Sequence, residues 1–267
     1  MGQPHISLAA EKITSIAGWP VTNSILTTWL VMALLTVFAL LVSRRISLVP
    51  TNLQQIAEIV IEGIHKLFTS VVGEAKIATF FPLLATLFLF IIIANWSGLL
   101  PGVGSVGLFK TEKEVEIVEK EITTTESLES SAKKEEFIPL FRGPTADLNT
   151  TLAMALIAFF SLHYYGFSDL GLGYFKRYFN LSNPIMFFVG ILEIISDLSK
   201  IISFAFRLFG NIFAGEVLLT VIAFLMPVVA PLPFLGLELF VGFIQALVFS
   251  MLTAVFLNMA TMSHGHE

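Results

Sequence analysis

Residues 191–216 read ILEIISDLSKIISFAFRLFGNIFAGE, and this stretch decides how the rest of the chain is interpreted. It is long, apolar and free of proline, so it predicts one continuous helix. It also carries polar side chains, namely Glu193, Asp197, Lys200, Ser203, Arg207, Asn211 and Glu216. An ionised group in a membrane interior costs about 2.5–3.5 kcal/mol, so these side chains are expected to face other protein or a water-filled cavity.

Arg207 is the most informative of these residues. It lies on the same side of the helix wheel as Lys200 and Asn211. Its guanidinium stays protonated at any accessible pH, so it acts as a fixed positive charge. Lys200 has a carboxylate, Asp197, three residues away, whereas the residues one turn from Arg207 are only Ser203 and Asn211. We therefore expect the counterion of Arg207 to come from another helix or another subunit.

The composition is that of a polytopic membrane protein, with 267 residues, 55% hydrophobic and 13% charged, and a mean hydropathy of +0.85. The chain has no cysteine, which excludes disulfides, thiolate metal ligands and cysteine nucleophiles. Its net charge of −5 is largely local, because residues 110–137 contain nine Glu and five Lys. The acidity belongs to this polar insert and gives no indication of nucleic-acid binding.

These patterns predict an all-α integral membrane protein with about five membrane-embedded helical segments and one amphipathic surface helix. We expect a single membrane domain, 1–267, with spans at 24–43, 78–100 and 148–166, a surface helix at 50–72, an external loop at 101–146, and two long helices at 184–226 and 233–262. At 1.5 Å per residue, residues 184–226 and 234–262 measure about 64 and 43 Å, against a hydrocarbon core of about 30 Å. They are therefore predicted to form a strongly tilted hairpin, or to bend at Gly210 and Gly215.

Several weaker signals concern the surface of the protein. Basic residues beside the spans (Arg44, Arg45, Lys176 and Arg177) predict an external N-terminus and a cytoplasmic C-terminus. Residues 115–122 of the insert suit either a short hairpin or a solvated arm. His163, near a span end, is interpreted as an interfacial residue. His264 and His266 are too few for a metal site, and no phosphate loop or nucleophile motif occurs, so no cofactor or metal is expected.

The last helix contributes two further polar residues, Glu238 and Gln245, which are seven residues apart and share a face. In an antiparallel hairpin they are expected opposite Glu216 and Arg207 respectively. Two carboxylates that share one low-dielectric site are suited to proton transfer near neutral pH. The structural alternatives are interhelical hydrogen bonding for Gln245, and likewise for Asn211.

Asp197 and Lys200 have their own structural alternative, in which they form only a buried salt bridge, and Glu193 is open to the same interpretation. Glu193 lies about 35 Å from Glu216 along a continuous helix. That distance is too long for one relay, so two aqueous pathways divided by Arg207 are the better interpretation.

Residues 203–216, SFAFRLFGNIFAGE, closely resemble the signature of subunit a of F-type ATP synthases. Supporting matches are NWSGLLPG at 95–102, TADLNTTLA at 145–153 and QALVF at 245–249. The resemblance covers nearly the whole chain except residues 110–137. It implies a non-catalytic membrane subunit that conducts ions, which we expect to be protons, through two offset half-channels beside a rotating c-ring.

The resemblance also implies roles for individual residues. Arg207 matches the arginine that faces the c-ring carboxylate and keeps protons from short-circuiting between the half-channels. Glu216, Asn211 and Gln245 match polar positions of the external half-channel, and Glu193 matches the cytoplasmic exit. Some family members carry histidine where this chain has Glu238.

Expected partners are the c-ring, b-type peripheral stalk subunits, the remainder of the synthase and membrane lipid, with no nucleic acid. A chain without a transit peptide favours the plasma membrane of a bacterium. Two rival interpretations remain at this stage. One is a secondary transporter that binds an anionic substrate at Arg207, although no internal repeats are evident. The other is a structural scaffold, which predicts that a neutral residue can replace Arg207. The choice between proton and sodium stays open.

Overall fold

The computed structural model describes residues 10–16, 18–44, 46–47, 52–100, 102–104, 106–111, 135–178, 184–226 and 229–262. These residues form the helices α1 (Asn23–Ser43), α2 (Asn52–Val72), α3 (Glu74–Ser97), α4 (Leu148–Leu170), α5 (Pro184–Leu225) and α6 (Pro231–Thr261). They also form the strands β1 (Lys12–Ile16), β2 (Trp19–Thr22), β3 (Gly107–Thr111) and β4 (Glu135–Pro139), and 3₁₀ segments at Pro144–Ala146 and Gly171–Arg177. All helices except α2 are long and apolar enough to cross a membrane. The predicted all-α integral membrane class is confirmed.

Polar side chains start two of the spans. The Thr22 hydroxyl accepts a hydrogen bond from the Ile25 N–H at 3.4 Å and caps α1. The Asp147 carboxylate accepts the Asn149 N–H at 3.0 Å and caps α4. Between α2 and α3 the chain turns at Gly73, whose φ of +83° suits a residue without a side chain.

The core lies where α3 packs along α6 and where α4 packs along both α5 and α6. Phe80, Leu84 and Ile91 of α3 are fully buried in it, together with Leu208 of α5 and Leu257 of α6. These apolar side chains occupy the helix faces that meet, and the remaining apolar faces are exposed in the isolated chain. The packing of the core therefore determines which faces of α5 and α6 remain exposed.

The surface helix α2 uses only part of its apolar stripe for packing. Ile64 and Phe68 are buried, whereas Ile56 and Ile59 are more than half exposed. By helical periodicity all four lie on one side of the helix. Because α2 contacts α3 and α6 mainly through its C-terminal half, the N-terminal part of that stripe remains on the surface.

The strand pairs lie at one end of the helices, which we call the β-hairpin side. Antiparallel pairing joins β3 to β4 and leads the chain towards the segment Pro144–Ala146. The Asn23 side chain at the start of α1 donates to the Pro139 carbonyl at 3.3 Å. At the end of α3, a Cβ added to Gly98 would lie 3.2 Å from the Gly143 Cα, so this close approach favours glycine.

Helices α5 and α6 are antiparallel and form the helical hairpin. With 42 and 31 residues, they measure about 63 and 47 Å. Glu216 and Glu238 lie towards the β-hairpin side, whereas Asp197 lies towards the opposite end. Residues 115–122 of the insert, Arg45, His264 and His266 lie outside the described residues, as do the side chains of Lys176 and Arg177.

Candidate functional site: polar groups of the helical hairpin

Arg207 projects from an exposed position near the middle of α5. One guanidinium nitrogen is 3.4 Å from the Ser203 hydroxyl one turn earlier. Within the part of the chain that the structure describes, no carboxylate forms an ion pair with it. The side chain is therefore a cation on the free face of the helical hairpin, available to an acidic group from outside this chain.

Asn211 and Gln245 connect α5 to α6. The Asn211 amide donates to the Gln245 side-chain carbonyl at 2.9 Å. The sequence argument placed Gln245 opposite Arg207, and the structure places it one turn further along, beside Asn211. The Gln245 amide nitrogen is buried and has no hydrogen-bond partner among the described residues. Buried amides normally find a partner, so a water molecule between the helices suits this position.

Glu238 is buried, with 6% of its surface exposed, where α6 crosses α5. Its carboxylate lies against the Gly215 backbone so closely that a Cβ on Gly215 would collide with it. Neither an ion pair nor a hydrogen bond joins Glu238 to any other residue of the described ranges. A buried carboxylate without a partner is uncommon, and such groups are found at functional sites more often than in ordinary cores.

Glu216, next to Gly215 in the chain, has a different neighbour from the one expected. The sequence argument paired it with Glu238, whereas the structure pairs it with Arg142. The Arg142 Nε lies 3.2 Å from one oxygen of Glu216 and 3.4 Å from the other, and a terminal nitrogen lies 3.2 Å from that second oxygen. Arg142 was not among the site residues expected from the sequence. The available signal was a charged residue immediately before the Gly143–Pro144 turn, beside the quoted motif at 145–153.

Asp197 occupies a separate cluster towards the other end of α5, which we call the Asp197 cluster and define as His163, Tyr178, Asp197 and Lys200. The Asp197 side chain, 3% exposed as a residue, accepts hydrogen bonds from the Lys200 ammonium and from the Tyr178 hydroxyl, the latter at 2.6 Å. Burial raises the pKa of the Tyr178 phenol, and the hydrogen bond to Asp197 raises it further. The phenol therefore stays a neutral donor, and the carboxylate has a donor on either side.

His163 belongs to this cluster although its position near a span end suggested an interfacial role. Its Nδ1 is 2.9 Å from the Phe159 carbonyl, to which it can only donate. Its Nε2 lies 3.4 Å from the Tyr178 hydroxyl and 3.7 Å from an Asp197 oxygen. The sequence argument also missed Tyr178, whose contact with Asp197 depends on the fold of the α4–α5 connection.

A cavity of about 280 Å³ adjoins the Asp197 cluster. It is lined by the cluster residues His163, Tyr178 and Asp197 and by the largely apolar side chains Phe159, Phe167, Tyr174, Phe175, Ile194 and Leu198. Glu193 lies half-buried on α5 one turn before Asp197. Among the residues that the structure describes, no group of three or more His, Asp or Glu side chains is arranged to hold a metal ion.

The fold and the polar groups together define a multi-pass membrane protein whose longest helices carry an exposed cation between two buried acidic sites. The sequence profile of the ATP synthase A chain family matches residues 25–258. The chain is also 33% identical over 262 residues to ATP synthase subunit a, chloroplastic, from the alga Stigeoclonium helveticum, an alignment that covers 97% of this chain and 93% of the relative. The chain therefore belongs to the ATP synthase A chain family.

Family membership has direct consequences for what this chain does. It is a non-catalytic subunit of the proton-translocating membrane sector of the ATP synthase, and the rest of that complex is its partner. The secondary-transporter interpretation loses its basis, because it required a protein that works outside such a complex.

Proposed function

We propose that this chain conducts protons through two offset half-channels at its contact with the c-ring, and so couples the proton gradient to rotation and ATP synthesis. The observation that carries the proposal is Arg207, an exposed cation without an acidic partner in the described part of the chain. A rotor carboxylate supplies the missing counterion. The exposed face around Arg207 is the surface against which the c-ring turns.

The half-channels lie on either side of Arg207. On the β-hairpin side, Glu238, Gln245 and Asn211 form a line of polar groups from the end of the helical hairpin towards Arg207. A proton from this side neutralises a rotor carboxylate, which then turns into the lipid. On the other side Glu193 marks the exit. Arg207 attracts the deprotonated carboxylate, favours proton release, and separates the two pathways electrostatically.

In this proposal the β-hairpin side is external, so that the N-terminus lies outside and the C-terminus in the cytoplasm. Arg44, exposed at the end of α1, supports this orientation because basic residues favour the cytoplasmic side. We also propose that the protein lies in the plasma membrane of a bacterium and that b-type stalk subunits are among its partners. The chloroplast relative shows that members of the family also occur in another membrane.

The test is the variant Arg207→Ala in the assembled complex in vesicles, with ATP synthesis and passive proton leak measured together. We expect synthesis to be lost and the leak to rise, because the charge that divides the half-channels is gone. Arg44→Ala removes an exposed arginine away from this site and is the matched control. Normal synthesis with an unchanged leak in Arg207→Ala would refute the proposal. Repeating the wild-type measurement in sodium-free buffer tests protons as the ion, since a sodium-driven motor would stop.

A further inference from the structure

A cavity lies between the second half of α4, the connection that follows it, and the first half of α5, beside the Asp197 cluster. Its volume of about 280 Å³ is close to the lower end of ligand-binding pockets, about 300 Å³. We propose that this α4–α5 cavity binds one acyl chain of a membrane phospholipid, and that the bound chain completes the packing between the two helices and their connection. The site adds to the proposed proton pathway and does not depend on it.

The wall of the α4–α5 cavity is largely hydrocarbon. Apolar side chains come from Phe159 and Phe167 of α4, from Phe175 of the connection, and from Ile194 and Leu198 of α5. A buried water molecule needs about two to four polar partners, which these side chains do not offer. A cavity left empty also forfeits dispersion contacts along its lining. An apolar guest is therefore favoured over both water and an empty space.

The polar groups that border the cavity are engaged with one another. The Tyr178 hydroxyl donates to the Asp197 carboxylate at 2.6 Å and lies 3.2 Å from the Tyr174 hydroxyl. The His163 Nδ1 donates to the Phe159 carbonyl at 2.9 Å. Because these groups already bond within the protein, the guest is held by apolar contact and needs no charged or hydrogen-bonding group of its own.

The cavity cannot close by a simple movement of the connection. A Cβ added at Gly166 of α4 would collide with the Tyr174 ring, and one added at Gly190 of α5 would collide with the Tyr178 carbonyl. The connection therefore already approaches both helices as closely as glycine allows. A cavity persists where the surrounding structure cannot collapse into it, and it lowers stability until it is filled. A bound acyl chain removes this loss.

The surroundings of the cavity identify the guest. Phe167, Phe175 and Leu198 are each about half exposed, so the cavity opens outward between them. Both α4 and α5 are long and apolar enough to cross a membrane, whose interior consists of lipid acyl chains. Leu198 lies nine residues before Arg207, about 180° away on a regular helix, so this side of α5 is not the one proposed to face the c-ring. The apolar molecule in reach of the opening is therefore a phospholipid chain.

Photolabelling of the complete ATP synthase tests the site. The complex is placed in phosphatidylcholine vesicles that contain a phosphatidylcholine with a diazirine in one acyl chain. It is then transferred to detergent, which removes freely exchanging lipid, and irradiated, and peptide mass spectrometry of this subunit locates the adducts. We expect adducts on Phe167 and Phe175 to exceed those on Phe160 about tenfold. Phe160 is an exposed residue of α4 that does not line the cavity, so it is the internal control.

Two labelling patterns would overturn the inference. Equal labelling of Phe160, Phe167 and Phe175 would show only lipid on the outer surface of the protein. No label on Phe167 and Phe175 would show that another subunit covers the cavity or that it binds no lipid. Excess unlabelled phosphatidylcholine should remove most of the cavity signal, whereas an equal excess of an isoprenoid quinone should leave it unchanged. Displacement by the quinone would contradict the assignment to a phospholipid.

A substitution at the opening provides a second test. Leu198→Trp places a larger side chain there and should lower the labelling of Phe167 and Phe175 about tenfold. The matched control is Leu192→Trp, at an exposed leucine of α5 that does not line the cavity, and it should leave the labelling unchanged. Undiminished labelling in Leu198→Trp would refute the inference. If that variant does not assemble, the wild-type ratio of cavity adducts to Phe160 adducts decides.

Discussion

Asp197 of α5 and Glu238 of α6 are two buried acidic sites of the helical hairpin, and they differ in how completely their charges are compensated. In the Asp197 cluster, one buried carboxylate accepts from Lys200 on its own helix and from Tyr178 of the preceding connection, with His163 of α4 beside it. On the β-hairpin side, Glu238 is almost as buried but has no partner in the described chain. Two buried carboxylates in the same helical hairpin therefore have different surroundings.

The comparison suggests a general criterion for charges in membrane helices. A carboxylate whose donors come from several elements holds those elements together and has no reason to change protonation. A carboxylate without donors contributes little to stability and is free to exchange a proton. On this criterion we expect the Asp197 cluster to have a structural role and Glu238 to have a functional one. The following predictions test that distinction, beginning with the largest expected effect.

Asp197→Ala should destabilise the subunit by about 3–5 kcal/mol, because it leaves the Lys200 ammonium largely buried without its counterion. The thermal unfolding of the purified subunit in lipid nanodiscs measures this loss. ATP synthesis per correctly assembled complex should remain close to wild type.

Asp197→Ala combined with Lys200→Met is the matched control. It removes both charges, so it should recover most of the lost stability. The comparison between the two sites fails if Asp197→Ala is stable but stops proton transport, since that result would give Asp197 the role assigned here to Glu238.

Gly190→Ala should destabilise the subunit by about 3 kcal/mol. A Cβ at this position would collide with the backbone carbonyl of Tyr178, and neither backbone can yield without moving the connection that holds the Asp197 cluster. The shift in Tm in nanodiscs measures the effect.

Two other glycines provide the controls for Gly190→Ala. At Gly63 an added Cβ meets nothing within 4 Å, so Gly63→Ala should leave Tm unchanged or slightly higher. At Gly215 the Cβ would meet the Glu238 side chain instead of backbone. Gly215→Ala should therefore destabilise the subunit less than Gly190→Ala does, but it should reduce ATP synthesis more. The reverse order of these effects would overturn the comparison.

Tyr178→Phe should destabilise the subunit by about 2 kcal/mol, the value for a buried hydrogen bond to a charged group. Because the pKa of the Tyr178 phenol is raised in the folded protein, the stabilisation by its hydrogen bond depends on pH. This stabilisation is fully present below the pKa of the phenol in the unfolded chain and is lost as the pH rises above that pKa. The difference in Tm between wild type and variant should stay constant from about pH 6 to 9 and shrink above about pH 10. A difference that already disappears near pH 7 would show that the phenol is not the donor.

Lys66→Gln should have the smallest effect. Lys66 lies 2.7 Å from Glu62 one turn away on α2, and both side chains are exposed. The hydrogen bond and charge of Lys66 lower the pKa of Glu62, so the stabilisation exists at neutral pH and is lost as the pH falls. The difference in Tm at pH 7 should be at most about 1 °C and should vanish below about pH 4. A larger effect would show that exposed charge pairs contribute more to the stability of this protein than the comparison of the two buried acidic sites implies.

The sequence predicted the class of fold because long apolar runs have few interpretations. It also singled out Arg207, since an intramembrane arginine without a local acid is rare. It missed the strands β1 and β2, which arise in a short polar segment with no strong alternation. A straight helix wheel places Lys200 and Arg207 on one side, yet the structure largely buries the Lys200 side chain and exposes Arg207. Helix periodicity orders residues around an axis, and only packing determines which side is covered.

The partners of the acidic residues were beyond sequence reasoning for a related reason. Arg142 is 74 positions from Glu216, and Tyr178 is 19 positions from Asp197 across a helix start. No periodicity links positions so far apart, because the contacts depend on how the helices are arranged. For this reason the expectation of a Glu216–Glu238 pair did not include Arg142, which is the ion-pair partner that the structure shows for Glu216. That expectation rested on the antiparallel arrangement of α5 and α6. It could not include the position of the segment that brings Arg142 to Glu216.

The pairing of β3 with β4 has a practical consequence for experiments on the assembled complex. Thr111 and Glu135 are register partners, so the two ends of residues 112–134 are fastened together before the chain reaches Arg142. Loop-closure entropy rises only slowly with length, so added chain within a closed loop is tolerated. A fluorescent protein or surface tether inserted into residues 112–134 would leave the arginine in place. The subunit could thereby be immobilised through its own polypeptide within the assembled ATP synthase.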